Sequence, residues 1–482
     1  MKPGLMRSVR LVIPVLITAL GSMLVGQSTA QTFTTLHSFG ALPMGRLDGQ
    51  APLAGPFLSG ATLYGTTASG GYWGSGTVFG INTDGSGFTN LHAFTGSSDG
   101  TTPQSELILS GGVLYGTAAA GGSSGNGVVF AVNTDGTGFT NLHSFTATSG
   151  SSLTNGDGAI PVGGLVLSGN TLYGTASGGG MAGNGTVFKI NTDGTGFTNL
   201  HSFAAAYGPP NTNTDGLYPT SGLALAGDTL YGTAGLAGFF GYGTVFAIKT
   251  DGTGFNTLHS FDSNSPAAGV IVSGNALYGT TRGMDGGPDG TVYKANLDGS
   301  GFTILHDFTC GDGCNLTAAL IVSGNTLYGT TGAGGSSGSG TIFAIHADGT
   351  GFSSLYSFTL ATIQDPVSTT NIDGTFPFGR LAKAGNSLYG TAIQGGGSGW
   401  GTVFRISFTP QLTIVPFGTN VILTWPTNVA GFDYSAYSLQ STTIFGPSAI
   451  WTTNSPAPVV VNGQNTVTNP ISGTQQFFRL SQ

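Results

Sequence analysis

Charge is what this sequence has least of. Only 7% of its 482 residues are Asp, Glu, Lys or Arg, and Glu106 is the sole glutamate. A pair of glutamates for acid–base work is therefore impossible. Basic residues are scarcer than acidic ones, 12 against 20. That balance excludes a nucleic-acid binder, which needs a basic face for phosphate. Two cysteines, Cys310 and Cys314, leave no material for a disulfide framework or a four-thiolate metal centre. Beyond the N-terminus no apolar run is long enough to cross a bilayer as a helix, so no transmembrane anchor is expected in the mature chain.

Glycine is abundant instead, with 86 residues, and almost every repeated stretch contains a Gly-Gly or Asp-Gly step. Such a chain resists helices and favours short strands joined by tight turns. Regular Val, Ile, Leu, Phe and Tyr positions supply cores, which excludes disorder.

The N-terminus reads as a secretory signal over residues 1–30. Lys2, Arg7 and Arg10 form the basic start, Leu11 to Gly26 the apolar stretch, and Ser28-Thr29-Ala30 the small residues before cleavage. Removing three basic residues leaves 12 − 3 = 9 against 20 acids, a formal net of −11. An extracellular or cell-surface location is expected.

Leu-Tyr-Gly-Thr then occurs seven times, ending at Thr66, Thr117, Thr175, Thr233, Thr280, Thr330 and Thr391. Thirteen residues after each Thr stands the aromatic of a Gly-Thr-Val-Phe-like stretch, Phe79 to Phe404. Fifteen further on, in six copies, stands the Phe of Leu-His-Ser-Phe, Phe94 to Phe358. Only the piece before the next Leu-Tyr-Gly-Thr varies in length. Each copy predicts a four-stranded antiparallel meander, with Asn-Thr-Asp-Gly as a hairpin signal. The mature chain opens on a lone fourth strand, Thr32 to Phe39, and the seventh copy ends without one. Those two facts predict ring closure: residues 31–408 as an all-β, seven-bladed β-propeller with three-plus-one strand closure. Residues 410–482 carry six or seven further strand signals and predict a small fibronectin-III-like β-sandwich, with Trp425 and Trp451 as core anchors.

These motifs resemble the GloVer tandem repeat found in "choice-of-anchor" bacterial surface proteins. The resemblance covers about 380 residues, from Leu-Tyr-Gly-Thr through the Gly-Gly loop, Gly-Thr-Val-Phe and Asn-Thr-Asp-Gly to Leu-His-Ser-Phe. It implies an exported repeat protein and brings no catalytic residues. The Pro-Glu-Pro sorting tail of that group does not stand at this C-terminus.

Chemistry-bearing residues mostly fall at scaffold positions. Asp84, Asp135, Asp193, Asp251, Asp298 and Asp348 sit in Asp-Gly hairpins; Asp48, Asp99, Asp157, Asp215 and Asp373 precede Gly-x-x-Pro and read as turn residues. His37, His92, His143, His201, His259 and His306 share one position, which Tyr356 takes in the remaining copy. Spread over separate blades they predict a repeated structural hydrogen bond rather than a metal centre. No cofactor or metal is expected, and Cys310 with Cys314 predicts a short-range disulfide.

The parts that do not repeat draw attention instead. The loop between second and third strands has fixed length but carries Tyr72 and Trp73, Phe239, Phe240 and Tyr242, and Trp400 in different copies. Such aromatics form either local hydrophobic clamps or stacking platforms for a ligand. The expectation is a non-enzymatic protein binding glycan or another protein through this face. The alternatives are a polysaccharide lyase or hydrolase drawing Asp and Tyr from a central channel, and a purely structural envelope component.

Overall fold

The computed structural model describes residues 29–40, 47–208, 212–283, 289–365, 368–444, 446–447, 449–470 and 476–482. The signal-peptide expectation, residues 1–30, lies outside them except for Thr29 and Ala30, which open the first strand. Among the described residues there is no α-helix; the chain is all-β and built largely of four-stranded antiparallel sheets.

The third repeat shows how its residues make one sheet. Its strands are Val166–Ser168, Thr171–Ala176, Thr186–Asn191 and Thr198–Ser202, hydrogen-bonded in that order. Register places Gly174 of Leu-Tyr-Gly-Thr directly opposite Phe188 of Gly-Thr-Val-Phe. The Phe188 ring lies over the bare glycine, where a Cβ would stand 2.6 Å from its tip. That close approach explains why Gly and Phe recur together: the ring covers a strand glycine that has nothing to pack with. Val187 pairs with His201 but Phe188 with Asn199, so Leu200 is the extra residue of a β-bulge. The hairpin follows from Asp193, whose carboxylate accepts from the amide and hydroxyl of Thr195 while Gly194 takes φ 82°.

Five other repeats build the same sheet, the fifth adding a short strand, Ser265–Pro266. The seventh copy supplies Ala382–Ala384, Ser387–Ala392 and Thr402–Pro410, and the fourth strand of that sheet is Thr29–Ser38 from the other end of the chain.

Cores lie between sheets rather than within them. Tyr115, Val129 and Phe145 of the second repeat pack with Leu165, Leu172 and Phe188 of the third in one buried cluster. Because both sheet faces are covered, the third strands read as near-continuous apolar runs. The Thr of each Leu-Tyr-Gly-Thr donates its hydroxyl to a backbone carbonyl of the next repeat: Thr66 to Ser105, Thr117 to Gly163, Thr175 to Ser221, Thr233 to Ala268, Thr280 to Ala318 and Thr330 to Gly379, at 2.8–3.4 Å. Thr391 of the seventh donates to Ala54 of the first at 2.8 Å, closing the circuit.

The chain divides into two compact units. The larger comprises Phe33–Lys383 and Leu388–Arg405; the smaller contains Ile406–Gln482 with Ala384–Ser387 and the described part of Met1–Thr32. Within the smaller unit, Thr413–Phe417, Asn420–Pro426, Gln464–Pro470 and Val459–Val461 form one sheet. Thr452–Thr453, Ser438–Thr442 and Phe477–Ser481 form another. Asn462 and Gly463, both at positive φ, make the tight hairpin that their sequence predicts. Trp425, 1% exposed, packs with Leu423, Leu439 and Val467 as the expected core anchor. Trp451 does not join it. That residue lies just before the edge strand Thr452–Thr453 and is half-buried, with the Arg479 guanidinium 4.4 Å over its ring.

Candidate functional site

The connection between repeats and the loop between second and third strands run side by side. Bridges join them in successive copies, Gln50 with Ser69, Thr101 with Ala120, Ala159 with Gly178 and Leu217 with Leu236. The residue ahead of the connection's proline turns into the left-handed region: Ala51, Thr102, Ile160, Tyr218 and Phe376 have φ between 53° and 59°. No side chain prefers that conformation, and the surrounding backbone holds it. The amide of Ile160 donates to Asn126 of the preceding repeat, and its carbonyl accepts from Ser177 of its own. Gly127 (φ 98°) is needed beside it, since a Cβ there would stand 2.5 Å from the ring of Pro161.

The two residue sets that the sequence presents separately meet at this junction. His37, His92, His143, His201 and His306 bring Nε2 to 2.9–3.2 Å from a carboxylate oxygen of Asp48, Asp99, Asp157, Asp215 and Asp312. A carboxylate only accepts, so Nε2 carries the proton. Tyr356 donates its hydroxyl to Asp373 at 2.8 Å in the same way. The carboxylates also accept backbone amides at the end of the fourth strand, for example Thr146 to Asp157 at 3.0 Å. The turn expectation for Asp48, Asp99, Asp157, Asp215 and Asp373 thus understates them, since each ties a connection to the ring one strand away, and Asp312 does the same without the Gly-x-x-Pro signal. Burial raises the carboxyl of Asp157, but hydrogen bonds from His143 and Thr146 outweigh it and leave it below the usual carboxylate range. Asp99 and Asp312 are lowered likewise, burial again being outweighed by their hydrogen-bond donors. Burial pushes His92 and His259 below the ordinary imidazole value.

Each of these rings also stacks on a phenylalanine of the following sheet. His37 lies on Phe88, His92 on Phe139, His143 on Phe197, His201 on Phe255, His259 on Phe302 and His306 on Phe352, with centroids 3.7–3.8 Å apart. Tyr356 lies on Phe33 at 4.6 Å. The histidines are joints, separated onto different sheets.

The exposed aromatics fall in two pairs. Tyr72 and Trp73 are 70% and 61% exposed and meet edge-to-face at 4.8 Å in the first repeat's loop. Phe239 and Phe240 do the same at 4.9 Å in the fourth repeat. Tyr242 is half-buried against the cluster holding Val245 and Phe261, and Trp400 is half-buried with its ring over Gly40. These six residues therefore form no single patch; two are packed and four stand as two separated pairs.

Cys310 and Cys314 are joined in a disulfide, Cα atoms 4.9 Å apart. It tightens the connection that carries Asp312 to His306. Asp289 lies beside the pair, its carboxylate within 4.8 Å of the sulfurs. With both sulfurs spent on each other, the trio offers one anionic oxygen and no thiolate.

A cavity of about 320 Å³ is lined by the approach to the first strand in all seven repeats, mostly Gly, Ala, Leu and Val. Its charged residues are Glu106 and Arg380. The aspartates and tyrosines that a channel enzyme would use are not on its wall: the former hold the joints and the latter pack between sheets.

The Gloeobacter/Verrucomicrobia repeat family matches residues 21–156, 151–282 and 262–421. No curated protein matches the chain in sequence. Among solved structures, it is similar to the GH74 enzyme of Niastella koreensis, with 14% identity over 93% of this chain and 72% of that one, TM-score 0.49. An oligogalacturonate lyase in complex with manganese shares 11% identity over 80% and 98%, TM-score 0.45. TolB from Acinetobacter baumannii shares 14% over 57% and 58%, TM-score 0.35. With every score below 0.5, none of these likenesses bears on what this chain does. The three family matches span well over half of the sequence and coincide with its repeats: the chain belongs to the Gloeobacter/Verrucomicrobia repeat family.

Proposed function

We propose that the chain is an exported, non-enzymatic binding protein: a seven-bladed β-propeller over residues 31–408 with three-plus-one closure, then a fibronectin-III-like sandwich over 410–482. Support for the seven blades is the closed circuit of threonine hydrogen bonds and the shared sheet of both chain ends. For the sandwich it is two sheets over one core. The signal-like start supports export to the outside or the cell surface, and so does the disulfide, a bond of oxidising compartments. No helix of the described residues is long and apolar enough to cross a membrane, which leaves β-barrels unaddressed.

Carbohydrate is the ligand, and one observation carries that reading. Tyr72 and Trp73 are held edge-to-face yet remain mostly exposed on a glycine-rich loop of fixed length. A self-supporting, uncharged aromatic ledge is what a pyranose face stacks on. Phe239 and Phe240 with Met181 and Tyr207, all exposed in the third and fourth repeats, favour a protein partner as the second reading.

Glycan-array binding by the mature chain tests the assignment. Trp73→Ala is expected to weaken the strongest signal at least about tenfold while leaving the thermal midpoint unchanged. Unaltered binding in Trp73→Ala and Tyr72→Ala would remove the site, and turnover of a bound polysaccharide would remove the non-enzymatic reading.

A further inference from the structure

The wall of the central cavity repeats too, and there two copies depart from the rest. Two residues before the first strand, the seven repeats carry Gly, Glu106, Gly, Gly, Gly, Ala and Arg380. Five positions are thus small, four Gly and one Ala, and they leave the cavity its volume of about 320 Å³. At the other two stand the only glutamate of the chain and one of its few arginines. They reach past Gly55 of the first repeat to bring Nη1 and Oε2 to 3.6 Å, beyond hydrogen-bond length. The Nε of Arg380 is buried with no hydrogen-bond partner, and so is the hydroxyl of Thr317 on the same wall. An adjoining cavity of about 310 Å³ shares Glu106 and Arg380 and adds Lys383, at a strand position where other repeats carry Leu or Val.

A purely structural role explains this poorly. The pair is part-exposed, 42% and 35% by side chain, and such pairs contribute little to stability. We propose that the central cavity is a binding site for a small zwitterion, such as an amino acid or dipeptide. Its carboxylate takes the Arg380 guanidinium, with Lys383 behind it, and its ammonium takes Glu106. The guest replaces one long ion pair by two charge-assisted contacts, and a planar guanidinium suits a carboxylate in a two-bonded fork. Uncharged walls elsewhere leave a singly charged solute half-matched. The site is separate from the Tyr72–Trp73 ledge, so either assignment can fail alone.

The test is a calorimetric titration of the mature chain with glycylglycine, with acetate and ethylamine as single-charge controls. Saturable glycylglycine binding is expected, with each control at least about tenfold weaker. Arg380→Ala and Glu106→Ala should each lose at least about tenfold, while Trp73→Ala loses nothing. Should either alanine variant fail to fold, the double exchange Glu106→Arg with Arg380→Glu keeps both charges and is expected to keep glycylglycine binding. The proposal is overturned if glycylglycine does not bind saturably, if acetate binds as well, or if a folded alanine variant or a folded exchange variant behaves oppositely.

Discussion

The joint between the third and fourth repeats and the joint between the sixth repeat and the N-terminal strand do one job with different residues. In the former, His201 stacks on Phe255 at 3.8 Å and gives its proton to Asp215 at 3.0 Å. In the latter, Tyr356 stacks on Phe33 at 4.6 Å and gives its hydroxyl proton to Asp373 at 2.8 Å. What the position requires is a flat ring with a donor at its edge, above a buried carboxylate. Imidazole chemistry is dispensable there, so the histidine series is scaffold. The difference also marks a defect. Thr359 donates its hydroxyl to Asp373, whereas Ala204 stands at the matching place and leaves a carboxylate oxygen of Asp215 buried without a partner.

Acid should weaken the joints of Asp99, Asp157 and Asp312, the largest effect expected. Asp99, Asp157 and Asp312 titrate below 3.8 in the fold, so their contribution is present above that value and is lost as pH falls through their folded values. His92 and His259 are lowered below 6.5, so their neutral forms favour the fold above 6.5, and that contribution is lost as pH falls beneath it. Thermal midpoints from pH 8 to 3 should stay level, decline below about 6.5 and drop again below about 4. A midpoint indifferent to pH across that span would remove the joints from the stability account.

Asp157→Ala should come next, costing about 2–3 kcal/mol in urea unfolding, because it strands the donors of His143 and Thr146. His201→Tyr, copying the sixth repeat's solution, should cost less than about 1.5 kcal/mol. A loss as large as that of the aspartate variant would mean that the two joints are not equivalent. Smallest of all, Ala204→Thr should add about 1 kcal/mol by supplying the missing hydroxyl to Asp215, read as a rise in the urea midpoint.

Much of this was legible in the residues. Fixed spacing placed the four strands of each repeat, because Gly174 must face Phe188 for the sheet to form as it does. The lone N-terminal strand and the three-stranded last copy announced their shared sheet. The union of His and Asp was not legible, since the two stand 6 to 14 residues apart across connections of varying length. Only the fold brings them together. Trp451 stands outside the core because it precedes a two-residue edge strand, Thr452–Thr453, rather than lying within a sheet. Of the loop aromatics, Tyr242 and Trp400 could not be told from Tyr72 and Trp73, because exposure depends on the neighbouring connection. Glu106 and Arg380 carried a signal that was overlooked: charges at a place where five repeats keep Gly or Ala.

Strand complementation tests the closed circuit most directly. A chain starting at residue 41 lacks Phe33, Leu36 and Phe39, and with them the fourth strand of the shared sheet. It should melt well below the mature chain, and a peptide of residues 31–40 added in trans should restore the midpoint saturably. An unchanged midpoint in the shortened chain, with no response to the peptide, would contradict closure.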